Sequence, residues 1–242
     1  MTSILWRHLA TAMLTRVSDQ AAYLLHRRDW QNTSLILDLL TSDFGRVSVL
    51  AKGAKNSRCK ALYQPFIRLS VSWTGRQQLK NLIEADGVSL PVCEKSYLSL
   101  FYINELVSNF VSYQEPNREL FSLYERLLRK IEIHEADLRE FEKEFMRILG
   151  YLPDITIDAR TRETIDAARS YQFIANEGFV GCGINASNAI AGALVIAWNE
   201  QRYESRAVVQ MSKIVMRCVI DFNLQGKQLK SREIYRRMGS FL

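Results

Sequence analysis

The hydrophobic pattern of the chain changes its period near residue 92, and this change limits the fold more than any other feature of the sequence. From residue 67 to 74 apolar residues alternate with polar ones, as in a β-strand with one buried face. After Pro91 apolar residues recur every three or four positions instead, as on one face of an α-helix. The sequence therefore predicts a β domain followed closely by a helical domain.

Five strand candidates precede this change, and turn-forming residues separate them. They cover residues 22–27, 34–40, 47–52, 67–74 and 79–85. Five short strands within about seventy residues, without a strong helical pattern, indicate a small closed barrel, for which the OB-fold is the leading candidate. We expect this barrel in residues 21–92 and treat residues 1–20 as an N-terminal extension in which Met13 is a second possible start.

The remaining residues, 93–242, are predicted to be mostly helical. Apolar stripes predict helices at 98–113, 120–131, 138–149, 187–198, 205–222 and 231–238. Residues 171–180 alternate again around Asn176 and Gly178, which is typical of a β-hairpin. The predicted fold class is therefore α+β: a five-stranded OB-fold barrel, then a mostly helical domain with a small hairpin region at about residues 150–185.

Basic residues are concentrated in two parts of the chain, whose net charge is +6. Residues 27–80 contain ten Lys or Arg against three Asp, and residues 206–242 contain eight against two acidic residues. Between residues 94 and 147 acidic residues exceed basic ones, eleven to eight. This distribution predicts a polarised surface and favours an anionic partner such as a nucleic acid.

The densest basic segment starts in the third predicted strand and continues into the loop after it. Its cations, with no acidic residue among them, are Arg46, Lys52, Lys55, Arg58 and Lys60. Lys and Arg side chains neutralise the phosphates of nucleic acids and release counterions. We therefore predict that these residues contact DNA phosphates, although a solvated basic surface would have the same pattern.

Further candidate DNA contacts lie on either side of this segment and near the C-terminal helix. They are Arg27, Arg28, Tyr63, Lys227, Lys230 and Arg232. Tyr63 lies beside the loop and is the preferred candidate for base stacking over Phe66 and Trp73. Trp73 falls on the alternating apolar face and is expected in the core. Ser231 is a candidate N-cap for the last helix.

The sequence gives little support for an enzyme, a metal centre or a membrane protein. Its four cysteines lie far apart without a CxxC pair, which fits neither a disulfide framework nor a zinc signature and is typical of the reducing cytoplasm. Neither a P-loop nor a GxGxxG motif occurs, and the histidines have no partners at ligand spacing. No apolar run is long enough to span a bilayer, and no signal peptide is indicated. We expect no catalytic residue, no cofactor and no metal.

Four short motifs resemble the bacterial RecO family of recombination mediators. They are AKGA at residues 51–54, QPF at 64–66, YINEL at 102–106 and LKSRE at 229–233, in the order and at the spacing of that family. The resemblance implies an OB-fold followed by a helical domain, in agreement with the periodicity. Many relatives carry a four-cysteine zinc module after the third helix, whereas residues 150–179 here contain no cysteine, so no structural zinc is expected.

The resemblance also implies a function and partners. Members of the family bind single- and double-stranded DNA, anneal complementary strands and, with RecR, help a RecA-type recombinase replace the single-stranded-DNA-binding protein (SSB). A hydrophobic groove with basic residues in their helical domain takes the acidic C-terminal tail of SSB. The expected counterparts here are Arg139, Leu138, Phe141 and Phe121, although a surface ion pair is an equal alternative for Arg139. The expected location is the cytoplasm, in association with the nucleoid.

Three other classes of function remain open from the sequence. A protein–protein adaptor would use the same basic patches for an acidic protein, and salt-dependent binding to a plain oligonucleotide would separate the two. An RNA-binding OB-fold protein would be distinguished by DNA and RNA titrations side by side. An enzyme would have a closed pocket with several strongly shifted ionisable groups, which nothing in the sequence predicts.

Overall fold

The computed structural model describes residues 16–237, and the chain divides into two compact units. The first unit comprises the residues up to Glu132 together with those from Lys230 onward, and the second runs from Ile133 to Leu229. Met13, most of the predicted N-terminal extension and the predicted end of the last helix at residue 238 lie outside the described residues.

A closed barrel of five strands forms the centre of the first unit. The strands are β1 (Arg16–Trp30), β2 (Ser34–Thr41), β3 (Gly45–Ala51), β4 (Ile67–Thr74) and β5 (Leu79–Ser89). Their order around the barrel is β1-β2-β3-β5-β4, in which β3 and β5 are parallel and the other neighbours are antiparallel. The predicted OB-fold barrel is confirmed.

Strand β1 is longer than its sequence pattern predicts. Its pairing register shifts between Val17 and Gln20 against β4, and between Leu24 and His26 against β2. Each shift interrupts the alternation of inward and outward side chains, so a period of two is visible only in pieces of the sequence. The strand therefore starts at Arg16, inside the segment predicted as an extension.

Inward-facing apolar side chains fill the barrel. Leu37 of β2, Val49 of β3 and Val71 of β4 are almost completely buried. Trp73 belongs to the same core, as its place on the alternating apolar face predicts. Its ring packs edge-on against Phe44, with 5.3 Å between the ring centroids. The side chains fill the interior of the barrel, so a ligand would bind to its outer surface.

Six α-helices occur in the described residues. They are α1 (Tyr97–Phe110), α2 (Arg118–Leu128), α3 (Glu135–Ile148), α4 (Gly192–Asn199), α5 (Arg206–Leu224) and α6 (Lys230–Arg237). Helices α1, α2 and α6 belong to the first unit, and α3, α4 and α5 belong to the second. All six were predicted, with starts and ends that differ by a few residues.

Glu125 fastens α2 to the barrel. Its Oε1 accepts hydrogen bonds from the hydroxyl of Tyr23 (3.1 Å) and from Nε of Arg68 (2.8 Å), and its Oε2 pairs with Arg129 (3.4 Å). Burial alone would raise the pKa of Glu125, but the hydrogen bonds from Arg68 and Tyr23 outweigh it, so this pKa lies below its usual value. Burial, followed by the charge of Glu125, raises the pKa of Tyr23.

Glu105 of α1 holds the start of α6. Its carboxylate accepts hydrogen bonds from the backbone N–H groups of Lys230 (2.7 Å) and Ser231 (2.9 Å), and from the hydroxyl of Ser231 (2.5 Å). These backbone donors have no partner within the helix, and the carboxylate also suits the positive end of the helix dipole. Ser231, the predicted N-cap, therefore lies inside the first turn, and Glu105 satisfies that turn's donors instead.

The second unit combines helices with a small antiparallel sheet. Strand β6 (Ser170–Ile174) pairs with β7 (Gly178–Cys182), as the predicted hairpin requires, and also with the short β8 (Ile190–Ala191). Because β8 takes up two residues that the sequence pattern assigns to a helix, α4 begins only at Gly192. Helix α5 packs against both α3 and α4.

The carboxylate of Asp158 joins the loop before the sheet to β7. Its Oδ1 accepts hydrogen bonds from the backbone N–H groups of Arg160 (2.8 Å) and Thr161 (3.1 Å), and its Oδ2 accepts one from Gly181 (2.8 Å). Burial would raise the pKa of Asp158, but these three hydrogen bonds outweigh it and bring the pKa below its ordinary value. The cysteine-free segment is thus held together by an ionised side chain.

Candidate nucleic-acid interface

Two predicted phosphate contacts, Lys52 and Lys60, are exposed in the segment that joins β3 to β4. This segment contains two short 3₁₀ turns, Ala54–Asn56 and Arg58–Leu62. The side chain of Arg58 lies outside the described part of the structure. An exposed Lys ammonium group is able to neutralise a phosphate at little desolvation cost, so this segment offers an accessible cationic surface.

Lys55 and Arg27 attach this segment to the rest of the barrel. Lys55 Nζ pairs with the carboxylate of Asp29 (3.0 Å) and donates a hydrogen bond to the carbonyl oxygen of Gln31 (3.1 Å). Arg27 Nη1 donates to the carbonyl oxygen of Tyr63 (2.6 Å). Both cations were predicted to contact phosphates, and both have structural partners here. Their bonds keep the basic segment next to the turn between β1 and β2.

Arg46, also predicted to contact phosphates, is engaged inside the first unit. Its Nη2 lies 2.5 Å from Oδ2 of Asp38, and its Nη1 donates hydrogen bonds to the carbonyl oxygens of Ser108 (2.5 Å) and Val111 (3.3 Å). Burial would lower the pKa of Arg46, but the hydrogen bond and charge of Asp38 outweigh it and raise the pKa. Only 12% of the side chain is exposed, so the guanidinium has little surface to offer a phosphate.

Arg46 and its partner instead fix the position of Tyr113. The Arg46 guanidinium lies 4.2 Å from the ring centroid of Tyr113, and the Tyr113 hydroxyl donates to Oδ2 of Asp38 (3.2 Å). The backbone N–H of Gln114 donates to the carbonyl oxygen of Arg46 (2.9 Å). Gly45 permits this approach, because a Cβ there would lie 2.1 Å from the carbonyl oxygen of Glu115 and its φ of +65° disfavours other residues.

The aromatic residues considered for base stacking are buried. Tyr63 is 6% exposed, Phe66 4% and Trp73 3%. Phe66 packs against Phe101 of α1, with 5.2 Å between the ring centroids. Tyr63, the preferred stacking candidate, belongs to the barrel core. Its irregular segment folds inward, where strand alternation gives no guide, and the ring has no face available to a base in this structure.

The outer face of β1, β2 and β3 contains a cleft of about 240 Å³. Its lining residues are His26, Arg28, Ile36, Asp38, Arg46, Ser48 and Tyr113. Arg28, a predicted phosphate contact, is exposed there. Trp30 follows Arg28 by two positions on β1 and therefore lies on the same face, where it is 43% exposed. The sequence prediction included neither Trp30 nor Tyr113.

The predicted C-terminal contacts are divided between the units. Lys227 is exposed in the second unit, and Lys230 is exposed at the start of α6 in the first. Arg232 is partly exposed, and its guanidinium lies 5.9 Å from the ring centroid of Tyr102. Whether these cations contact DNA stays a prediction.

The residues predicted for the SSB tail are also divided. Leu138, Arg139 and Phe141 are buried on α3, and Phe121 is buried on α2 of the first unit. Arg139 Nη1 pairs with Oε2 of Glu142 at 2.9 Å, so this is an ion pair with little exposure rather than one on the surface. Among the described protein groups, Nε of Arg139 has no hydrogen-bond partner. A buried donor of this kind gains free energy from any acceptor that reaches it.

No cluster of three or more His, Cys, Asp or Glu side chains in residues 16–237 is arranged to hold a metal ion. Over the same residues, every helix is too short or too polar to cross a membrane.

Two family models match the chain, one for each predicted domain. The model described as Recombination protein O N terminal matches residues 14–91, and the one described as Recombination protein O C terminal matches residues 95–233. The interval between them coincides with the change of period in the sequence.

Several bacterial proteins named DNA repair protein RecO are similar to this chain over most of their length. The protein of Methylococcus capsulatus is 37% identical over 229 residues, which are 92% of this chain and 94% of that protein. The protein of Mannheimia succiniciproducens is 36% identical over 220 residues, 88% of this chain and 96% of its own. That of Haemophilus influenzae strain Rd is 34% identical over 223 residues, 89% and 94% of the two chains.

Proposed function

Because the chain belongs to the RecO family of DNA repair and recombination proteins, we propose that it binds single- and double-stranded DNA without sequence preference and anneals complementary strands. The observation that carries this proposal is the exposed cationic segment of Lys52 and Lys60 beside an OB-fold barrel. Both lysines act on phosphates, which are the same in every sequence.

Annealing follows from charge neutralisation. Two complementary strands repel each other through their phosphates, and cations that replace condensed counterions reduce this repulsion. The strands then pair through their own bases, so the protein needs neither ATP nor a covalent step. RecR would join it in helping a RecA-type recombinase replace SSB. With DNA as its substrate, we expect the protein in the cytoplasm, in association with the nucleoid.

A salt titration of a labelled single-stranded oligonucleotide tests the cationic segment. The variant with Lys52→Glu and Lys60→Glu loses two phosphate contacts. The negative slope of log affinity against log salt should therefore become shallower by about 1.4. Affinity for single strands and for duplex should both fall at low salt, and the rate of strand annealing should fall with them. Fluorescence anisotropy measures the affinities.

The matched control carries the same change of charge at Lys95 and Lys130, which are exposed elsewhere on the first unit. It should keep a salt slope close to that of the wild type. Equal losses in the two variants would mean that only net charge matters, and an unchanged slope in the first would remove Lys52 and Lys60 from the site. A parallel titration with RNA shows whether DNA is preferred.

The acidic C-terminal tail of SSB is the second partner in this proposal. Its support is the buried Nε of Arg139, which has no acceptor among the described residues and would gain one from a terminal carboxylate. Leu138 and Phe141 lie on the same helix but are buried, so their contact with the aromatic residue before that carboxylate stays a prediction from the family resemblance. Phe121 lies in the other unit, and its part in such a groove stays a prediction from the family resemblance.

A labelled peptide with an acidic sequence, a terminal aromatic residue and a free carboxylate tests this contact. Loss of Arg139 alone would break its buried ion pair with Glu142, at a cost of roughly 3–5 kcal/mol in stability. The double variant with Arg139→Gln and Glu142→Gln removes both charges together. It should fold and bind the peptide at least tenfold more weakly than the wild type does. The wild type should likewise bind an amidated peptide at least tenfold more weakly than the peptide with the free carboxylate. Undiminished binding by the folded double variant would contradict the assignment.

A further inference from the structure

The outer face of the barrel has two exposed aromatic rings, Trp30 and Tyr113, although the rings predicted to stack on DNA are buried. Trp30 is 43% exposed and Tyr113 is 37% exposed. Stacking on aromatic side chains is the usual way in which an OB-fold holds single-stranded nucleic acid, and every base has a face that can stack. These two rings are therefore the ones on this face that have the chemistry a splayed strand requires.

The strand register places the two rings at opposite ends of one row of residues. His26 pairs with Asp38, Arg28 with Ile36, and Trp30 with Ser34 across β1 and β2. Residues paired in this way share a face of the sheet. Tyr113 lies at the Asp38 end, because its hydroxyl donates to that carboxylate. At about 3.3 Å per residue, the four positions from Ser34 to Asp38 span about 13 Å.

Positive charge lies between and beside the rings. The exposed Arg28 occupies the middle of the row and lines the cleft together with His26 and Tyr113. At the Trp30 end, the bonds of Lys55 to Asp29 and Gln31 hold the basic segment against the turn that follows Trp30. A strand that leaves this segment would thus meet an aromatic ring, a guanidinium and a second aromatic ring in succession.

Tyr113 is held in place before any ligand arrives. The Arg46 guanidinium covers one face of its ring at 4.2 Å, and Asp38 accepts its hydroxyl. Arg46 is itself fixed by Asp38 and by the carbonyl oxygens of Ser108 and Val111. A ring fixed in this way loses little conformational entropy on binding, which favours affinity.

We propose that Trp30 and Tyr113 are stacking platforms for two bases of a single strand, with Arg28 contacting the phosphodiester between them. This inference rests on the proposed function and adds to it, since it assigns a surface on which single strands and duplexes differ. In a duplex the base faces are already stacked on their neighbours, so only a single strand gains from the two rings. The face favours single strands, and the lysine segment serves both forms.

Anisotropy titrations with a single-stranded oligonucleotide and with the matching duplex test this inference. Trp30→Ala and Tyr113→Ala should each weaken binding to the single strand by about 5- to 150-fold, the range that corresponds to one lost stacking contact. Affinity for the duplex should stay within about twofold of the wild type. The salt slope of single-strand binding should be unchanged, because no phosphate contact is removed.

Conservative and remote variants serve as controls. Trp30→Phe keeps an aromatic face and should recover most of the single-strand affinity. Phe222→Ala removes an aromatic side chain on α5 that is 53% exposed, and it should bind like the wild type. The fluorescence of Trp30 should be quenched by the single strand, and this contribution should be lost in Trp30→Phe. The described tryptophans Trp73 and Trp198 are buried, and Trp6 lies outside the described residues.

The outcomes separate this inference from the proposal beneath it. Wild-type protein that binds no DNA overturns both. Wild-type protein that binds DNA while both alanine variants keep its single-strand affinity overturns the stacking platform alone, and assigns the face to a protein partner. Equal losses for single strand and duplex also overturn it, because the two rings would then support the basic segment rather than the bases.

Discussion

The ion pair of Arg46 and Asp38 positions the Tyr113 ring, and its guanidinium is too buried to contact a phosphate readily. The guanidinium has three kinds of partner, namely a carboxylate, two carbonyl oxygens and the Tyr113 ring, and all of them lie within the first unit. The sequence reveals the charge of Arg46 but not partners that are more than sixty residues away. A buried guanidinium is stable only with such partners, because its desolvation is costly.

Asp38→Asn should therefore destabilise the first unit. The change leaves the Arg46 guanidinium buried beside a neutral amide, and breaking a buried pair costs roughly 3–5 kcal/mol. The free energy of unfolding from urea titrations measures this loss. Asp43→Asn is the control, because its pair with Arg118 is exposed and should contribute no more than about 1 kcal/mol. Equal effects of the two substitutions would show that the buried Arg46 pair contributes no more to the free energy of unfolding than an exposed pair does.

For individual residues, the sequence correctly predicts whether a side chain is buried or exposed where the chain forms a regular strand. Trp73 was expected in the core and lies there. Tyr63 lies in an irregular segment, where no period indicates the direction of its side chain, and it is buried although it was expected to be available. The alternation of His26, Arg28 and Trp30 is visible in the sequence and could have indicated the cleft. Tyr113 has no such signal, since its contacts with Arg46 and Asp38, which place it on the barrel, join residues far apart in the sequence.

At the level of elements, the carboxylate of Asp158 joins two segments through three backbone hydrogen bonds. It connects the loop that precedes the small sheet to β7, and its side chain is almost fully buried. Gly181 permits the close approach, because a Cβ there would lie 2.9 Å from Oδ2 of Asp158. The hairpin itself was predictable from alternation around a turn, but this cross-link depends on a distance of 23 residues along the chain.

Asp158→Asn should destabilise the second unit in a way that depends on pH. The folded-state pKa of Asp158 lies below the ordinary value of 3.8, so its stabilisation is fully present above that value and is lost as the pH falls through the lower, folded-state value. At pH 7 the substitution should cost about 2–3 kcal/mol, since hydrogen bonds to a charged acceptor are lost. The wild type and the variant should converge as the pH falls below about 3.8.

Circular dichroism during urea unfolding at several pH values measures this convergence. Asp154→Asn is the matched control, because Asp154 is exposed and its hydrogen bonds reach only Thr156. It should have a smaller effect at pH 7. A penalty for Asp158→Asn that stays constant down to acidic pH would mean that the carboxylate charge does not contribute.

At the scale of the whole molecule, the sequence and the compact structure divide the chain at different places. The period changes near residue 92, and the family models meet there. The first compact unit nevertheless extends to Glu132, because Asn104 and Glu125 bond α1 and α2 to β1. Periodicity shows that a segment is helical, but it does not show which surface the helix covers.

The attachment of α6 to Glu105 makes the second unit an insertion in the sequence of the first. During synthesis on the ribosome, the barrel, α1 and α2 emerge first. The donors that bind Glu105, at the start of α6, are made more than a hundred residues later. The interval belongs to a separate body that can acquire its own structure meanwhile. Completion of the first unit thus requires that the whole second unit has been translated.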